Sequence, residues 1–506
     1  MLIGILSSPP YSDGPLQLPF QRPATQCRTF ESDLVEKVID DMNERMVDKD
    51  LARIFENAFP NTLDTTVRWH VDGTEEGGDT KDTSQNHRSL GRWKGAQSFI
   101  VTGDINAEWL RDSTNQLAQY QVLAKKDKSI ANLILGAINT QAEFIIESPY
   151  CNAFQPPPPS GLTPTNNGQG DAVHPAYEPS FVFECKYELD SIAAFLSLSN
   201  QFYAHTGSTD FLTPRWYLAL STILDVLREQ AKPTFDDNGT YKRNEYTFQR
   251  HTSSGTETLN LGGIGNPLAA GTGLIRSAFR PSDDATILGF LIPANAMMAV
   301  ELRRTSEMLK AAAEEPRGAV LLLEHSQRIA KGVWKHGVVD TPTWGRVFAY
   351  EVDGYGSRIL MDDANLPSLL ALPLLGFVRS DDEVYRNTRK MVLSREGNPY
   401  FLSGRYFRGI GGPHIGLQHA WPMSLLVQAM TSDDEEEIRG CLELVKNAST
   451  FGLINESVNV GLRRDVTRSW FAWANSVFAQ TILDLAKRKP EVLFGKGAAA
   501  YDIEKA

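Results

Sequence analysis

The chain has 506 residues, of which 42% are hydrophobic, 22% charged and 9% aromatic, and its formal net charge is −12. These proportions belong to a folded globular protein and exclude a collagen, a disordered tail protein or a disulfide scaffold. The acidic balance argues against partners that need a basic surface, such as nucleic acid or an anionic membrane, and leaves a neutral polar substrate such as a carbohydrate open.

Residues 1–28, rich in Pro, Ser and Gly, read as an N-terminal arm. The opening MLIGILSSPPYSDGP has too short an apolar stretch for a signal peptide and no positive leader. No run of about 18 apolar residues predicts a spanning helix, and N-x-S/T sequons at Asn238, Asn447 and Asn455 leave the compartment open. Helical periodicity then appears at 31–58, 107–124, 127–148, 186–206, 211–230, 284–312, 318–334, 364–375, 382–394, 419–430, 433–447 and 467–487, about twelve helices in all. The stretches 72–97 and 149–180 read as loops. The region 231–281 is irregular, with a possible hairpin around Thr240, Tyr241, Tyr246 and Phe248. Cys27, Cys151, Cys185 and Cys441 form no CxxC; reduced thiols are the plain reading, with a Cys151–Cys185 bridge as the alternative.

The helices alternate in character. Segments such as YELDSIAAFLSLSNQFY and SWFAWANSVFAQTIL are apolar nearly all round, as buried helices are, whereas DEVYRNTRKMVLSRE and DDEEEIRGCLELVKN carry a charged stripe. Alternating buried and surface helices predict an all-α fold, a double-layered (α/α)6 barrel. It would form one domain over 29–490, followed by a tail at 491–506. Each buried helix is opened by a polar and aromatic cluster: TGDINAEWLRDS, FECKYELDS, RPSDDAT, MDDAN, PHIGLQHAWP and NESVNVGLRRDVTRSW. In such a toroid these clusters meet at one rim and line a pocket with carboxylates, Arg, His and Trp.

The nine His form no HxH or HExxH pair, and no G-x-S-x-G elbow is present, so neither metal chemistry nor a serine nucleophile is predicted. Carboxylates remain. Asp283 and Asp362 are equally readable as helix N-caps, which would place Asp284 and Asp363 in a first turn where they could accept from sugar hydroxyls. Helical spacing separates Glu188 from Asp190 by about 200°, so only one should face the bore. The same spacing groups Lys186 with Asp190, where a simple salt bridge is the bland alternative. Several Trp at one rim suit carbohydrate stacking.

The motifs TGDINAEWLRDSTNQ, FECKYELDS, RPSDDA, MDDAN, HAWPM, NES and SWFAWANS, over about 100–480, resemble those of glycoside hydrolase family 125, the exo-α-1,6-mannosidases, and the upstream CRTFESDLVEKVI and FENAFPNTLDTT resemble its fungal members. The resemblance implies an (α/α)6 barrel, inversion of configuration, no metal and no other cofactor. It assigns Asp190 as general acid and Glu456 as general base. Asp104, Trp109, Arg111, Asp112, Lys186, Arg280, Asp284, Asp363, Asn365, His414 and Trp470 would hold the terminal mannose of a glycan. Inversion needs room for a water between the two carboxyls, about 6.5–9.5 Å. Asp190 should have a raised pKa, with Lys186 directed at the sugar or at another carboxylate. Asn455 stands where bacterial members tend to have His, and a glycan there would obstruct the pocket, so that sequon is expected to be unused. Two rivals stay open: an inverting toroid acting on another α-glycoside such as a glucoside, and a catalytically silent sugar-binding toroid. A terpene-type site is disfavoured because SDDAT and MDDAN supply neither DDxxD nor DxDD.

Overall fold

The helical spacing of apolar residues resolves, in a computed structural model that describes residues 11–74, 95–313 and 315–505, into α1 (Asp33–Arg45), α2 (Lys49–Ala58), α3 (Leu110–Ala118), α4 (Lys128–Glu147), α5 (Leu189–Thr206), α6 (Pro214–Gln230), α7 (Ile292–Ala311), α8 (Pro316–Gly332), α9 (Glu383–Val392), α10 (Pro422–Met430), α11 (Glu435–Ala448) and α12 (Ala472–Arg488). The nearly all-apolar helices form the inner layer. α12 packs on α3, α3 on α5, α5 on α7, and α10 on α12, while α7 also meets the single helical turn Leu372–Leu375. Against their outer sides lie the amphipathic helices: α2 on α12, α4 on α5, α8 on α7 and α11 on α10.

The two layers begin their helices differently. Six of the outer helices carry their own side-chain caps: Ser32, Asp48, Asp127, Thr213, Asp382 and Asp434 each accept from a backbone N–H of the following turn, whereas Glu315 before α8 does not cap. Asp48 also explains why the helix expected over 31–58 is two helices, since its carboxylate takes the N–H groups of Asp50 and Leu51 at 3.0 Å and starts a new one. Inner helices α3, α5, α7, α10 and α12 have Trp109, Glu188, Leu291, Trp421 and Phe471 at that position, none of which caps with its side chain. Their first N–H groups turn to neighbouring segments instead: Leu110 N–H to the Asn152 carbonyl at 3.2 Å, Leu189 N–H to Ser277 Oγ at 3.0 Å, and Ile292 N–H to the Tyr350 carbonyl at 2.9 Å. The rim is therefore tied together by interstrand and loop contacts.

Short strands do this tying. Glu108–Trp109 pairs with Ala153–Phe154, which pairs with Val182–Glu184; Phe290–Leu291 pairs with Glu351–Val352; His419–Ala420 pairs with Val458–Asn459. As a result several helices start later than their periodicity predicts: α7 at Ile292 rather than 284, and α12 at Ala472 rather than 467. The helix expected over 364–375 shrinks to Leu372–Leu375. Pro367 biases Leu366 away from helical backbone, and the buried Asp362 carboxylate claims the N–H groups of Leu369 and Leu370 at 2.8 and 2.9 Å.

The loops also depart from expectation. Val67–Thr74 and Gly95–Ile100 form an antiparallel pair at the edges of the stretch read as a loop at 72–97, whose residues 75–94 lie outside the described ones. No hairpin joins Thr240 and Phe248. Tyr241 bridges to Phe235, while Thr247–Gln249 pairs with Ala172–His174 of the other long loop. Cys151 and Cys185 form a disulfide, so reduced thiols hold only for Cys27 and Cys441. The described part of the arm is packed, with Arg22 between Glu36 and Asp64, and the tail returns Tyr501 to Asp41 at 3.1 Å. Helix α4 is long and apolar enough to cross a membrane by length and composition, but 67% of its apolar window is buried inside this fold.

Candidate active site

The starts of the inner helices surround one pocket. Its walls are Thr102, Asp104, Ile105, Trp109, Arg111, Asp112, Pro281, Ser282, Asp283, Asn365, His414, Trp421, Glu456, Arg468, Phe471 and Trp473. Each of the six sequence clusters except FECKYELDS contributes a wall residue directly. FECKYELDS supplies what stands behind the floor.

That floor is Arg111, on the first turn of α3 and 2% exposed. Its Nη1 donates to Glu188 Oε2 at 2.6 Å and to Asp190 Oδ2 at 3.3 Å, its Nη2 lies 3.0 Å from Asp112 Oδ2, and its guanidinium sits 5.0 Å over the Trp473 ring. Burial pushes both Asp112 and Asp190 up to about 6 against the pull of Arg111. Arg111 also borders a second cavity of about 810 Å³, lined among others by Asn200 and Glu301 well inside α5 and α7 and by Met430 and Asp484 towards the ends of α10 and α12. Arg111 and its carboxylate partners thus stand between the two cavities.

Glu456 is 8% exposed in the segment before α12. Thr467 Oγ1 donates to its Oε2 at 2.7 Å and Arg468 Nε to its Oε1 at 3.1 Å, while Arg468 Nη1 bonds Asp104. The preceding Asn455 is 1% exposed and spends its Nδ2 on the carbonyls of Arg468 and Ser469, so the folded chain cannot carry a glycan there. Asp283 sits in a tight turn in which its own N–H donates to the Arg280 carbonyl at 2.9 Å, and its φ of 67° is left-handed, a strained setting for a residue with a Cβ. Asn152 Nδ2 lies 3.2 Å from Asp283 Oδ1 and 3.2 Å from Glu188 Oε1. Against burial, which would raise it, Lys186, Arg111 and His414 hold Asp283 below the ordinary carboxylate range. His414 Nδ1 is 3.8 Å from Asp284 Oδ1. The His414 side chain is 38% exposed, so burial lowers it little, and Asp284, Asp283 and Glu456 push it up to about 9.

Three indoles complete the wall. The Nε1–H groups of Trp109, Trp421 and Trp473 are buried and have no hydrogen-bond partner among the described residues. A buried donor without a partner is costly, so three around one pocket point to a hydroxyl-rich ligand. Among the described residues no group of three His, Cys, Asp or Glu is arranged to hold a metal ion.

Of the expected site residues, Asp104, Trp109, Arg111, Asp112, Asn365, His414 and Glu456 line the pocket. The others do not. Asp190 is 0% exposed and set behind Arg111. Lys186 reaches Glu184 at 3.4 Å and lies over the Phe279 ring, the direction toward another carboxylate that was expected. Arg280 is spent on the buried Glu351 at 2.6 Å. Asp284 and Asp363 both approach the Ser282 hydroxyl at 3.0 Å, one layer back from the wall. Trp470 packs beside Gly103, whose φ of 134° disfavours any side chain and where a Cβ would crowd the ring at 3.2 Å. Both Glu188 and Asp190 face Arg111, because Glu188 is the extended residue before α5 and helical spacing does not apply to it. Asp283 is not a cap, since α7 begins nine residues further on at Ile292. The pocket also takes Ser282, Arg468 and Phe471, which were not expected there, and Asp283, Trp421 and Trp473, which the rim clusters contained without being assigned to the site.

A helical two-layer scaffold with a carboxylate-, Arg- and Trp-lined pocket at the N-terminal ends of its inner helices defines a glycoside hydrolase. Residues 48–483 match metal-independent alpha-mannosidase (GH125), and the chain belongs to that family. It is 55% identical over 482 residues to the Meiotically up-regulated gene 157 protein of Schizosaccharomyces pombe, covering 95% of this chain and 91% of that one. A metal-independent α-mannosidase of Streptococcus pneumoniae, solved as a non-productive substrate complex with α-1,6-mannobiose, superposes with a TM-score of 0.77 at 31% identity over 90% of this chain and 99% of that one. A GH78 family rhamnosidase of Bacillus sp. GL1 shares the fold at a TM-score of 0.50 and 11% identity, over 88% of this chain and 36% of that one.

Proposed function

We propose that this α-mannosidase is exo-acting and inverting, releases terminal α-1,6-linked mannose from glycans, and works inside an (α/α)6 barrel with Glu456 as general base and Asp283 as general acid. One observation carries the reading: Asp283 and Glu456 are on the walls of the same pocket, backed by Arg111 and edged by three indole donors without protein partners. The α-1,6-mannobiose bound by the pneumococcal relative supports the linkage.

In this reading a terminal mannose fills the pocket, its hydroxyls taking the donors of Arg111, Trp109, Trp421 and Trp473 and the acceptors of Asp104 and Asp112. Glu456, its carboxylate plane fixed by Thr467 and Arg468, withdraws a proton from the water that attacks C1. Asp283 protonates the glycosidic oxygen as the bond breaks, so that charge develops on neither the leaving oxygen nor the nucleophile. Asp190, expected from sequence as the acid, serves instead by holding Arg111.

Incubation with α-1,2-, α-1,3- and α-1,6-mannobiose, maltose and trehalose tests the substrate. Turnover confined to the α-1,6 mannoside is expected, and turnover of only the glucosides would end the reading. Proton NMR of the first product should show β-mannose; α-mannose would exclude inversion.

A further inference from the structure

The fold treats the three N-x-S/T sequons unequally. Asn238, Gly239 and Thr240 form the tip of a turn after α6, and all three are exposed. Asp236 holds that tip: its Oδ1 accepts the N–H groups of Asn238 and Thr240 at 3.0 and 2.9 Å, and its Oδ2 lies 2.9 Å from Lys242 Nζ. Gly239 supplies the left-handed φ of 77° that the turn needs. None of these bonds uses the Asn238 amide. Asn447 is exposed in the last turn of α11. Its Nδ2 donates to Glu443 Oε1 at 2.9 Å, one turn back, and a groove of about 230 Å³ opens beside it past Tyr406 and Leu462. An amide linked to a sugar keeps one N–H, so that single contact survives attachment. Asn455 is the contrast. It is 1% exposed and donates both its Nδ2 hydrogens, to the carbonyls of Arg468 and Ser469, so it has neither a free N–H nor space for a sugar.

An independent observation concerns where the chain folds. Cys151 and Cys185, 4% and 1% exposed, are joined across a sequence separation of 34 residues. A structural bridge of this kind forms and persists in oxidising compartments, and sequons are glycosylated in the same secretory setting. We propose that Asn238 and Asn447 carry N-linked glycans, added as the chain enters the oxidising secretory pathway in which the Cys151–Cys185 bridge closes. The donor is a lipid-diphosphate-linked oligosaccharide. A bond forms between Asn Nδ2 and C1 of its first sugar. The C1–O bond breaks, its electron pair leaves on the lipid diphosphate, and one amide proton is released. Transfer precedes folding, so the later burial of the Ser449 hydroxyl against the Val445 carbonyl, at 2.8 Å, is no obstacle at Asn447. A chain modified at Asn455 could not seat the neighbouring Glu456 against Thr467 and Arg468 and would not reach this fold. Neither Asn238 nor Asn447 is on the walls of the pocket, so the inference does not depend on which carboxylates perform the reaction.

The test is site mapping on the full-length protein isolated from the cells that make it. Proteolysis without reductant, followed by peptide N-glycosidase in heavy-oxygen water, converts each glycosylated Asn into a labelled Asp and reports the bridge in the same digest. Label at positions 238 and 447, an unlabelled Asn455 peptide and a linked Cys151–Cys185 peptide pair are expected. Asn238→Gln and Asn447→Gln should each remove the mass of one glycan from the intact protein. An unlabelled Asn238 or Asn447 in bridged protein would overturn the assignment of that site. Label at Asn455 in the folded, active protein would overturn the argument from burial on which both assignments stand. Reduced cysteines with no label anywhere would overturn the compartment and the sites together.

Discussion

Arg468 places its Nε 3.1 Å from Glu456 Oε1 and spends a second guanidinium nitrogen on Asp104, so one side chain links the proposed base to the opposite lip of the pocket. A general base must be aimed as well as ionised, and a misplacement of about 1 Å costs about a hundredfold. Arg468→Ala should therefore lower kcat by about one to two orders of magnitude while Glu456→Gln lowers it further, by about 10²–10⁴. Lysine at 468 cannot reach both partners with a planar fork and should rescue little. Steady-state kinetics on α-1,6-mannobiose decide this, and an Arg468→Ala enzyme with unchanged kcat would remove the aiming role.

Asp283 and Asp190 are the two candidates for the acid, and the leaving group separates them. An acid is needed when the departing alcohol is poor and is dispensable when the leaving group is already stable, as in a dinitrophenyl mannoside or mannosyl fluoride. Asp283→Asn should lose about 10²–10⁴ on mannobiose and little on the activated substrates. Asp190→Asn disturbs the grip on Arg111, so its loss should be similar on both substrate types. Leaving-group-dependent loss in Asp190→Asn in place of Asp283→Asn would return the acid to Asp190.

The difference between these two residues shows what was legible in the sequence. Alternation between all-apolar and charged-stripe helices announced two layers, because burial on all sides requires an apolar surface on all sides. The polar clusters announced a shared rim. Which member of a cluster reaches the pocket was not legible. SDDAT reads as a cap followed by a helix, yet Asp283 is turned inward by a left-handed backbone whose helix starts only at Ile292. KYELD reads as helix, yet Glu188 precedes it in extended backbone, so spacing arguments based on about 100° per residue do not hold there. Arg280 shows the same limit: a buried Glu351, far along the chain, takes it out of the site.

His414 gives a pH dependence of known sign. Its folded value, about 9, lies above the ordinary imidazole value because of Asp284, Asp283 and Glu456. The charged ring therefore contributes stability that is fully present below about pH 6.5 and is lost as the pH rises through about 9. Thermal unfolding measured from pH 6 to 10 should show a falling Tm over that window, and His414→Gln should flatten the part due to this group. An identical slope in the variant would mean that the ring is not charged in the fold.

Asn152 and Lys186 owe their adjacency to the Cys151–Cys185 disulfide one residue away on each side. The bridge closes a sequence separation of 34 residues, spanning the long loop between α4 and α5. In the chain-entropy account a loop of that size contributes about 3–4 kcal/mol by restricting the unfolded chain. The bridge also pins Asn152 where it meets both Glu188 and Asp283, so its loss should reach the chemistry as well as the stability. A Cys151→Ala/Cys185→Ala variant should unfold at lower guanidinium concentration. At a temperature where it remains folded, its kcat should fall while its KM for α-1,6-mannobiose changes less, because the disturbed contacts belong to the acid and not to the indole-lined wall. Unchanged kcat in a folded double variant would show that the packing of Tyr150, Tyr187 and Tyr246 around the loop ends is sufficient to hold Asn152 in place without the bridge.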